Sequence, residues 1–389
     1  MQPADFTRNS WARAVRAPTG YWASVPRPLP PTLRLDWSLA SALASANHAL
    51  GQLAGTAGNL PNPNLLIRPF VRREAVLSSR IEGTLTSLSD LFFFEAAPDS
   101  PPPDRPPPAD VREVANYVKA LGYGLKRLGT LPLSLRFLRE LHQHLMKGVR
   151  GEHLTPGEFR RSQNWIGPPG CSLDQAAFVP PPVPEMHQAL AALERFLHEP
   201  GDLPPLVRLA MVHYQLEAIH PFLDGNGRVG RLLISVLLVH EGLLPYPLLY
   251  LSAFFEARRQ DYYQALLDVS VAGRWPEWVG FFLEGVEQQA RDALWRIGRL
   301  LALRERYHDR VATARSSALL HRVVDGLFQN PALTIPDAAR RLGVTRRSAA
   351  LNVQKLVRLG VLKEVTGRER YRIYFAKGVL EALEAPKNA

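Results

Sequence analysis

The chain has 389 residues, of which 46% are hydrophobic, so it is long enough to bury a core and to form more than one domain. We expect neither a signal peptide nor a membrane-spanning helix, because residues 1–16 are charged without an apolar segment and the longest uncharged apolar run, residues 242–255, contains two prolines. The single cysteine, Cys171, excludes a disulfide within the chain and fits a reducing compartment, so we expect a cytoplasmic protein.

The net charge of +11 is spread unevenly along the chain. Residues 310–389 contain 15 Lys and Arg against 6 Asp and Glu, a net charge of +9, which leaves +2 for the first 309 residues. The sequence therefore predicts a basic C-terminal module on a nearly neutral body.

The first 35 residues are rich in Pro, Arg and Trp and show no clear period, which predicts an irregular arm. A helical period then runs from about Leu35 to the turn-prone segment 55–64. A second helix is predicted over residues 66–82, and Gly83 is the residue type that commonly follows a helix end.

The end of this second helix is unusual. A carboxylate at Glu82, in the last turn, is unfavourable by roughly 0.3–1 kcal/mol because the unpaired carbonyls there are negative. Ser78 lies one turn earlier on the same face. From the spacing alone, Glu82 can equally be an exposed, solvated side chain.

Residues 98–108 contain seven prolines and predict an extended surface loop or linker. The helical period resumes over residues 109–124 and 134–148. His142 and His144 lie two positions apart, so they do not share a helix face, and we expect structural roles for them instead of a metal pair.

Residues 157–184 change to short extended pieces, which predicts a β-hairpin over residues 164–179 with a turn at residues 168–170. An exposed edge of such a hairpin could pair with a peptide, although a connecting loop is the simpler alternative. Five further helices are predicted over residues 185–199, 206–218, 229–241, 259–271 and 276–305.

The C-terminal module has the element order of a winged helix-turn-helix. Helices are predicted over residues 334–342 and 345–359, and two strands over residues 362–365 and 371–375. The second helix would enter a DNA major groove, and the basic side chains expected to contact phosphates are Arg346, Arg347, Lys355, Arg358 and Arg368.

The loop before the third of the five helices carries the chain's most informative motif, residues 220–231 (HPFLDGNGRVGR). Part of it, residues 225–230, matches the dinucleotide pattern G-x-G-x-x-G, but a helix precedes it where a Rossmann unit requires a strand. The glycines on both sides of Asn226 let backbone amides converge at a helix start, which is an anion-binding arrangement.

Charged side chains in the motif extend this chemistry. Arg228 and Arg231, three positions apart, can clamp outer phosphates with bidentate donors. Asp224 offers a hard oxygen to Mg²⁺, and His220 is the residue type whose unperturbed pKa, about 6.5, suits a general base.

This motif resembles that of the Fic (filamentation induced by cAMP) family, whose members are mainly α-helical and mostly transfer AMP from ATP to a Ser, Thr or Tyr hydroxyl of a protein. The resemblance implies that His220 is the general base, that Asp224 holds Mg²⁺ and that Phe222 anchors the loop. It further implies a nucleotide site formed by Gly225, Asn226, Gly227, Arg228 and Arg231. Residues 164–179 resemble the family's flap, which aligns the target segment; Ile166 and Gly167 of the flap, with the pair Tyr262 and Tyr263, would border the nucleotide.

Residues 78–83 (SSRIEG) are similar to the inhibitory motif of the family. The resemblance implies that Glu82, supported by Ser78, competes with the γ-phosphate of ATP for Arg231. The proline-rich segment has no counterpart in this resemblance.

We therefore expect a mainly α protein with an irregular arm (residues 1–35), a helical region with the inhibitory helix and a Pro-rich loop (36–108), a Fic-type domain with a β-hairpin flap (109–305) and a winged helix-turn-helix (310–389). The leading hypothesis is an autoinhibited protein adenylyltransferase that uses ATP and Mg²⁺. The alternative is a DNA-binding regulator whose Fic domain senses ATP or removes AMP from proteins. The expected partners are a hydroxyl-bearing protein, which could be the chain itself, a second copy in a homodimer, and DNA or protein at residues 310–389, with no membrane partner.

Overall fold

The computed structural model describes residues 2–60, 62–97, 108–168, 170–199, 201–313 and 318–386. Helices dominate these residues, which confirms the mainly α fold. The α-helices are α1 (Trp37–Gly58), α2 (Asn64–Ile81), α3 (Leu88–Ala96), α4 (Pro108–Arg127), α5 (Leu135–Met146), α6 (Val183–His198), α7 (Pro205–Ile219), α8 (Asn226–His240), α9 (Ser252–Ala257), α10 (Arg259–Ala272), α11 (Trp275–Thr313), α12 (Ala318–Gln329), α13 (Ile335–Leu342), α14 (Arg346–Arg358) and α15 (Lys377–Glu384). The strands are β1 (Ala12–Arg16), β2 (Trp22–Pro26), β3 (Ala332–Thr334), β4 (Lys363–Glu364) and β5 (Ile373–Phe375).

The chain divides into two compact units, each made of separate segments. The first comprises Met1–Gly51, Asn116–Leu244 and Leu249–Gln289, and the second comprises Gln52–Ala115, Pro245–Leu248 and Ala290–Ala389. Most of the predicted Pro-rich loop, residues 98–107, lies outside the described residues, and α4 begins at its last proline. In the part of the chain that is described, no helix combines the length and the apolar composition that a membrane crossing requires.

The core of the first unit is built on α7 and α8, the helices on either side of the motif loop. Nearly every side chain of α7 and most of those of α8 are buried, because apolar residues recur along most of both helices. The first turns of α11 cover α7, where the indole of Trp278 donates a hydrogen bond to the carbonyl of Ala210 (2.9 Å). This packing fixes the ends of α7 and α8 between which the loop is held.

The prediction of an irregular arm over residues 1–35 was wrong. β1 and β2 form an antiparallel hairpin, in register from Ala12↔Pro26 to Arg16↔Trp22. Its inward side chains are mostly small, such as Ala12 and Ala23, so the alternation was hard to recognise among the prolines and arginines. The hairpin packs against α6, α7 and α10 of the same unit.

The predicted hairpin over residues 164–179 forms a single antiparallel bridge in place of two strands. Ile166 and Phe178 exchange both main-chain hydrogen bonds (2.8 and 3.1 Å), and a short 3-10 turn, Leu173–Gln175, lies between them. We keep the name flap for residues 164–179. Its second arm is extended by β2, since the Ser24 amide donates to the Val179 carbonyl (2.8 Å).

In the second unit, α2 ends in a hydrogen-bonded cap. The amide of Gly83 (φ +92°) donates to Arg80 and that of Thr84 to Ser79, which is the Schellman arrangement that stops a helix at a left-handed glycine. Glu82 is the exposed C-cap residue, and Ser78 is fully buried on the preceding turn.

The remainder of the second unit contains the winged helix-turn-helix, as predicted. Its sheet has the antiparallel order β3-β5-β4 beside α13 and α14. Thr334 and Thr345 cap these two helices by accepting amide hydrogen bonds (3.2 and 3.3 Å), and Gly343 adopts the left-handed conformation of the turn between them. The sequence pattern did not reveal β3 or the short helices α3, α9, α12 and α15.

Candidate active site

The predicted base, His220, terminates α7 in a left-handed conformation (φ 49°, ψ 61°), which is uncommon for a residue other than glycine. Its Nδ1 lies 3.3 Å from the carbonyl oxygen of Glu217. Because a carbonyl only accepts, the neutral ring carries its proton on Nδ1 and has its basic lone pair on Nε2. His220 is half-buried.

The loop after His220 is closed by the side chain of Asn226. Its Oδ1 accepts the amide of Phe222 and its Nδ2 donates to the carbonyl of the same residue (both 2.8 Å). The Phe222 ring is fully buried, as expected for an anchor. The structure thus uses the Asn226 side chain to shape the loop, and the main-chain amides at the start of α8 are the groups suited to an anion.

Gly225 precedes α8 with φ +77°, and a Cβ there would lie 2.9 Å from Met146 Sδ. Both the backbone conformation and the close approach of Met146 therefore require glycine. The first amides of α8, which lack intrahelical partners by geometry, follow directly and carry the positive end of the helix dipole.

Arg228 and Arg231 are both buried, with 3% and 2% of their surface exposed. Arg228 lies 3.5 Å from Asp224 Oδ1 and contacts Met146 Sδ (3.6 Å). Two guanidinium groups in the first turns of a helix are donors of the kind that suits a polyphosphate.

Asp224 has a half-exposed carboxylate whose Oδ1 accepts the amide of Gly225 (2.6 Å). The described residues contain no group of three or more His, Cys, Asp or Glu side chains that could form a closed metal cage. A single hard, solvent-accessible carboxylate beside a phosphate site fits Mg²⁺, which binds proteins through one or two carboxylates and completes its shell with phosphates and water.

His142, to which the sequence assigned only a structural role, is part of the support of the loop. Its ring stacks on Phe222 (centroids 3.9 Å apart), its Nδ1 accepts the amide of Gly157 (2.8 Å), and its Nε2 donates to the carbonyl of Asp224 (3.0 Å). Burial, assisted by the nearby charge of Arg228, lowers the pKa of His142 to about 4. The ring is therefore neutral at physiological pH.

Two flanking residues, Arg160 and Asn164, were not predicted from the sequence. Arg160 Nε donates to the carbonyl of His220 (3.1 Å), while Asn164 Nδ2 donates to the carbonyls of His220 and Phe222 (3.3 and 2.7 Å). Nothing in the sequence distinguishes Arg160 from its neighbour Arg161, whose side chain is 87% exposed and pairs with Glu158. Only the folded chain shows which of the two arginines points inward.

The structure separates the predicted aromatic pair. Tyr262 is buried, stacks on Phe255 and donates or accepts a hydrogen bond at His213 Nε2 (2.9 Å), whereas Tyr263 is 41% exposed. Burial also lowers the pKa of His213, to about 3. Ile166 of the flap is 37% exposed, and Gly167 is packed so that a Cβ there would lie 2.6 Å from Cys171 Sγ.

Comparisons with known proteins agree with this arrangement. Sequence models match residues 40–126 as "Fic/DOC family N-terminal", residues 132–238 as "Fic/DOC family" and residues 320–380 as "HTH DNA binding domain". The chain is 34% identical over 117 residues to "Protein adenylyltransferase Fic" of Drosophila grimshawi and 33% identical to the protein of the same name from Drosophila erecta. Each match covers 30% of this chain and only 22% or 21% of the relative.

Among solved structures, a Fic family protein from Desulfovibrio desulfuricans G20 shares the fold over most of both chains. The match covers 90% of this chain and 98% of that one, with a TM-score of 0.57 and 19% sequence identity. The domain matches at residues 40–126 and 132–238, the second of which contains the motif at residues 220–231, show that the chain carries the N-terminal and Fic domains of the Fic/DOC family.

Proposed function

We propose that this protein transfers AMP from ATP to the hydroxyl of a Ser, Thr or Tyr side chain of a protein. The observation that carries the proposal is the arrangement of the motif loop. His220, whose tautomer leaves Nε2 basic, is followed within a few residues by the carboxylate of Asp224 and by the positive N-terminal end of the α8 dipole. The name of the Drosophila relatives, protein adenylyltransferase, supports the same reaction.

In this proposal the main-chain amides of Asn226 and Gly227 bind the α- and β-phosphates, and the Gly225 amide joins them by exchanging its present partner, Asp224 Oδ1. Arg228 and Arg231 bind the outer phosphates. Asp224 would hold Mg²⁺, which would neutralise charge on the phosphates and fix their orientation. Ile166, Gly167 and the pair Tyr262 and Tyr263 would border the nucleotide, with the exposed ring of Tyr263 better placed for contact than the buried ring of Tyr262.

The chemical step is an in-line displacement at the α-phosphorus. His220 Nε2 accepts the proton of the target hydroxyl while its oxygen forms a bond to the α-phosphorus. The bond from the α-phosphorus to the bridging oxygen breaks, and pyrophosphate leaves with that electron pair. Anchoring of the loop by Phe222 and Asn226 would keep the base and the phosphate site at a constant separation.

We propose further that Glu82, with Ser78, restrains the reaction by competing with the γ-phosphate for Arg231. The similarity of residues 78–83 to the inhibitory motif motivates this step. The capped end of α2 supports it, because the cap fixes the main chain from which the exposed side chain of Glu82 projects.

The experiment incubates the full chain and its Glu82→Gly variant with ATP labelled at the α-phosphate, alone and with lysate. We expect label on protein from Glu82→Gly, less from the unmodified chain and none from Glu82→Gly combined with His220→Ala, which should still bind nucleotide. Absence of protein-bound label from all of them would refute the proposal, and ADP as the only product would indicate a kinase reaction. Mass spectrometry of the labelled proteins would identify the target.

A second candidate function, DNA binding, is favoured by the C-terminal module. Residues 320–380 match a DNA-binding domain, and the predicted recognition helix, α14, exposes Arg346, Arg347 and Arg358. The same helix exposes Leu351 (67%), which could instead contact a protein partner or a second copy. In this alternative the Fic domain senses ATP or removes AMP from proteins.

Binding of the full chain to fluorescent duplex DNA over a range of salt concentrations tests this candidate. Arg346→Ala with Arg347→Ala should weaken binding and lower the salt slope by about 1 for each phosphate that the variant no longer neutralises. Lys377→Ala, on α15, is the matched control, because its charge is exposed and paired with Glu381 of the same helix. If binding responds neither to salt nor to the double substitution, the hypothesis that the C-terminal module binds DNA is refuted.

A further inference from the structure

Arg160 is a deeply buried arginine, with 1% of its surface exposed. Its Nη1 donates to the carbonyl of Ser162 (3.2 Å) and its Nη2 to that of Pro181, the residues that flank the flap on its two sides. Its Nε donates to the carbonyl of His220, and its own amide to that of Pro221 (2.9 Å). In the described part of the chain, these hydrogen bonds all end on main-chain carbonyls.

The charge of Arg160 is retained despite this burial. Burial lowers the pKa of its guanidinium to about 10, and the nearby Tyr21 acts in the opposite direction. The group is therefore cationic at neutral pH, and its hydrogen bonds to the carbonyls are charge-assisted. Such bonds are about twice as strong as those between neutral groups, so the three tied segments are held firmly.

The conformation of His220 depends on this contact. A left-handed backbone is strained by roughly 1–2 kcal/mol in a residue with a Cβ, so it persists only where neighbours hold it. The carbonyl of His220 receives hydrogen bonds from Arg160, which lies shortly before the flap, and from Asn164, the first residue of the flap. The main-chain conformation at His220 is thus held from the side of the flap.

The base of the flap is closed by further hydrogen bonds from the same segment. Gln163 Nε2 donates to the carbonyl of Pro180 (2.9 Å), and its Oε1 accepts the hydroxyl of Tyr21, which precedes β2 (2.8 Å). Together with the bridge between Ile166 and Phe178, these bonds hold the two ends of the flap side by side, and the bonds of Arg160 add to them.

We propose that Arg160 is a positioning residue that couples the flap to the main chain of His220, so that the segment aligning the target hydroxyl and the base that deprotonates it move as one piece. This inference rests on the proposed function, because it assigns Arg160 a part in AMP transfer. Arg160 acts only through other groups and contacts neither the nucleotide nor the target.

The coupling should affect transfer and nucleotide affinity differently. The phosphate site lies at the start of α8 and is shaped by Asn226, Phe222 and Gly225, none of which is bonded to the guanidinium of Arg160 in the structure described. Loss of Arg160 should therefore slow transfer far more than it weakens nucleotide binding.

Arg208 provides a matched control with the same chemistry elsewhere. Its guanidinium donates to the carbonyls of Phe196, Leu197 and Glu199 and so caps α6, remote from the flap and from His220 in its bonding. Removing it should destabilise the protein without disturbing the site.

The experiment compares Arg160→Met, Arg160→Lys and Arg208→Met in the full chain carrying Glu82→Gly. The measurements are the rate of labelled AMP transfer onto the chain itself, the affinity for a non-hydrolysable ATP analogue with Mg²⁺, and amide hydrogen exchange at Ile166 and Phe178. We expect Arg160→Met to lower the transfer rate about 100-fold and to speed flap exchange about tenfold, with the analogue affinity unchanged. Arg160→Lys should fall between, because an ammonium can reach only some of the three carbonyls.

Arg208→Met should lower the melting temperature but keep the parent's transfer rate and flap exchange. The inference would be overturned if Arg160→Met kept the AMP transfer rate and the flap hydrogen exchange of the parent. It would also be overturned if Arg160→Met and Arg208→Met changed the transfer rate and the flap exchange equally. If Arg160→Met does not fold, the comparison of Arg160→Lys with Arg208→Met decides. If the parent itself transfers no AMP, the proposed function fails, and flap exchange still decides whether Arg160 couples the flap to the loop.

Discussion

Replacing His142 with glutamine should make the stability of the protein less dependent on pH. In the folded chain the pKa of His142 is about 4, because the ring is buried between Phe222 and two hydrogen-bonded main-chain groups, whereas in the unfolded chain it is near 6.5. The folded state therefore resists protonation that the unfolded state accepts.

The sign follows from proton counting. Between pH 6.5 and pH 4 the unfolded chain binds the proton and the folded chain does not, so acidification favours unfolding. The contribution of this ring is fully present above pH 6.5, decreases by about 2 kcal/mol by pH 5, and is reduced by about 3 kcal/mol below pH 4. Near pH 7.5 the glutamine variant should be the less stable protein, because one amide or carbonyl loses its partner at a cost of about 1–3 kcal/mol.

Urea unfolding followed by tryptophan fluorescence at pH 7.5, 6 and 5 measures the effect. The gap in unfolding free energy between the unmodified chain and His142→Gln should shrink by about 2 kcal/mol between pH 7.5 and pH 5. His48→Gln, at an exposed position of α1, controls for the loss of a histidine as such. A gap that stays constant or widens on acidification would refute the reasoning, since it would mean that the folded chain accepts the proton on His142.

Three further substitutions test other parts of the description. Gly225→Ala should lower the free energy of unfolding, measured by thermal unfolding, by about 1–2 kcal/mol or more, because the new Cβ meets both a left-handed backbone and a clash at Met146. Gly242→Ala is also left-handed but has no atom within 4 Å of the new Cβ, so it should show the cost of the backbone conformation alone. Equal losses of stability in the two variants would contradict the clash. Arg296→Met should release α15, because Arg296 pairs with Asp292 (2.7 Å) and donates to the carbonyls of Leu383 and Ala385. We expect the free energy of unfolding to fall by about 3–5 kcal/mol and hydrogen exchange in residues 377–384 to become faster. Unchanged exchange in those residues would contradict the prediction. Thr345→Ala should weaken the start of α14 by about 1 kcal/mol, seen as faster exchange of the Ser348 amide that Thr345 caps, with α13 unaffected.

The sequence was sufficient for the long helices and for the motif loop, because both depend on local patterns. The apolar stripes of α7 and α8, the glycine before α8 and the glycine after α2 have local causes that can be read without the fold. The helix-turn-helix order was predictable for the same reason: Thr334, Gly343 and Thr345 are capping and turn residues.

The supports of the site could not be predicted, because they depend on pairings distant in sequence. His142 meets Asp224 across 82 residues, and Arg160 meets His220 across 60. Neither residue type has a local signature for such a contact, and a carbonyl partner leaves no mark in the sequence. The hairpin of β1 and β2 was missed because small buried alanines carry too weak a hydrophobic signal to reveal an alternating strand.

The β1–β2 hairpin has a practical consequence for how the protein can be divided. A fragment that began near residue 36, where the first long helix starts, would leave the Val179 carbonyl without the Ser24 amide and Gln163 without the Tyr21 hydroxyl. The fragment would also lack the carbonyl of Arg27, which accepts a hydrogen bond from the side chain of Gln215 on α7 (2.9 Å). Such a truncation would remove an outer strand from the flap and a hydrogen bond from the helix that ends in His220, so measurements on it would describe a loosened site.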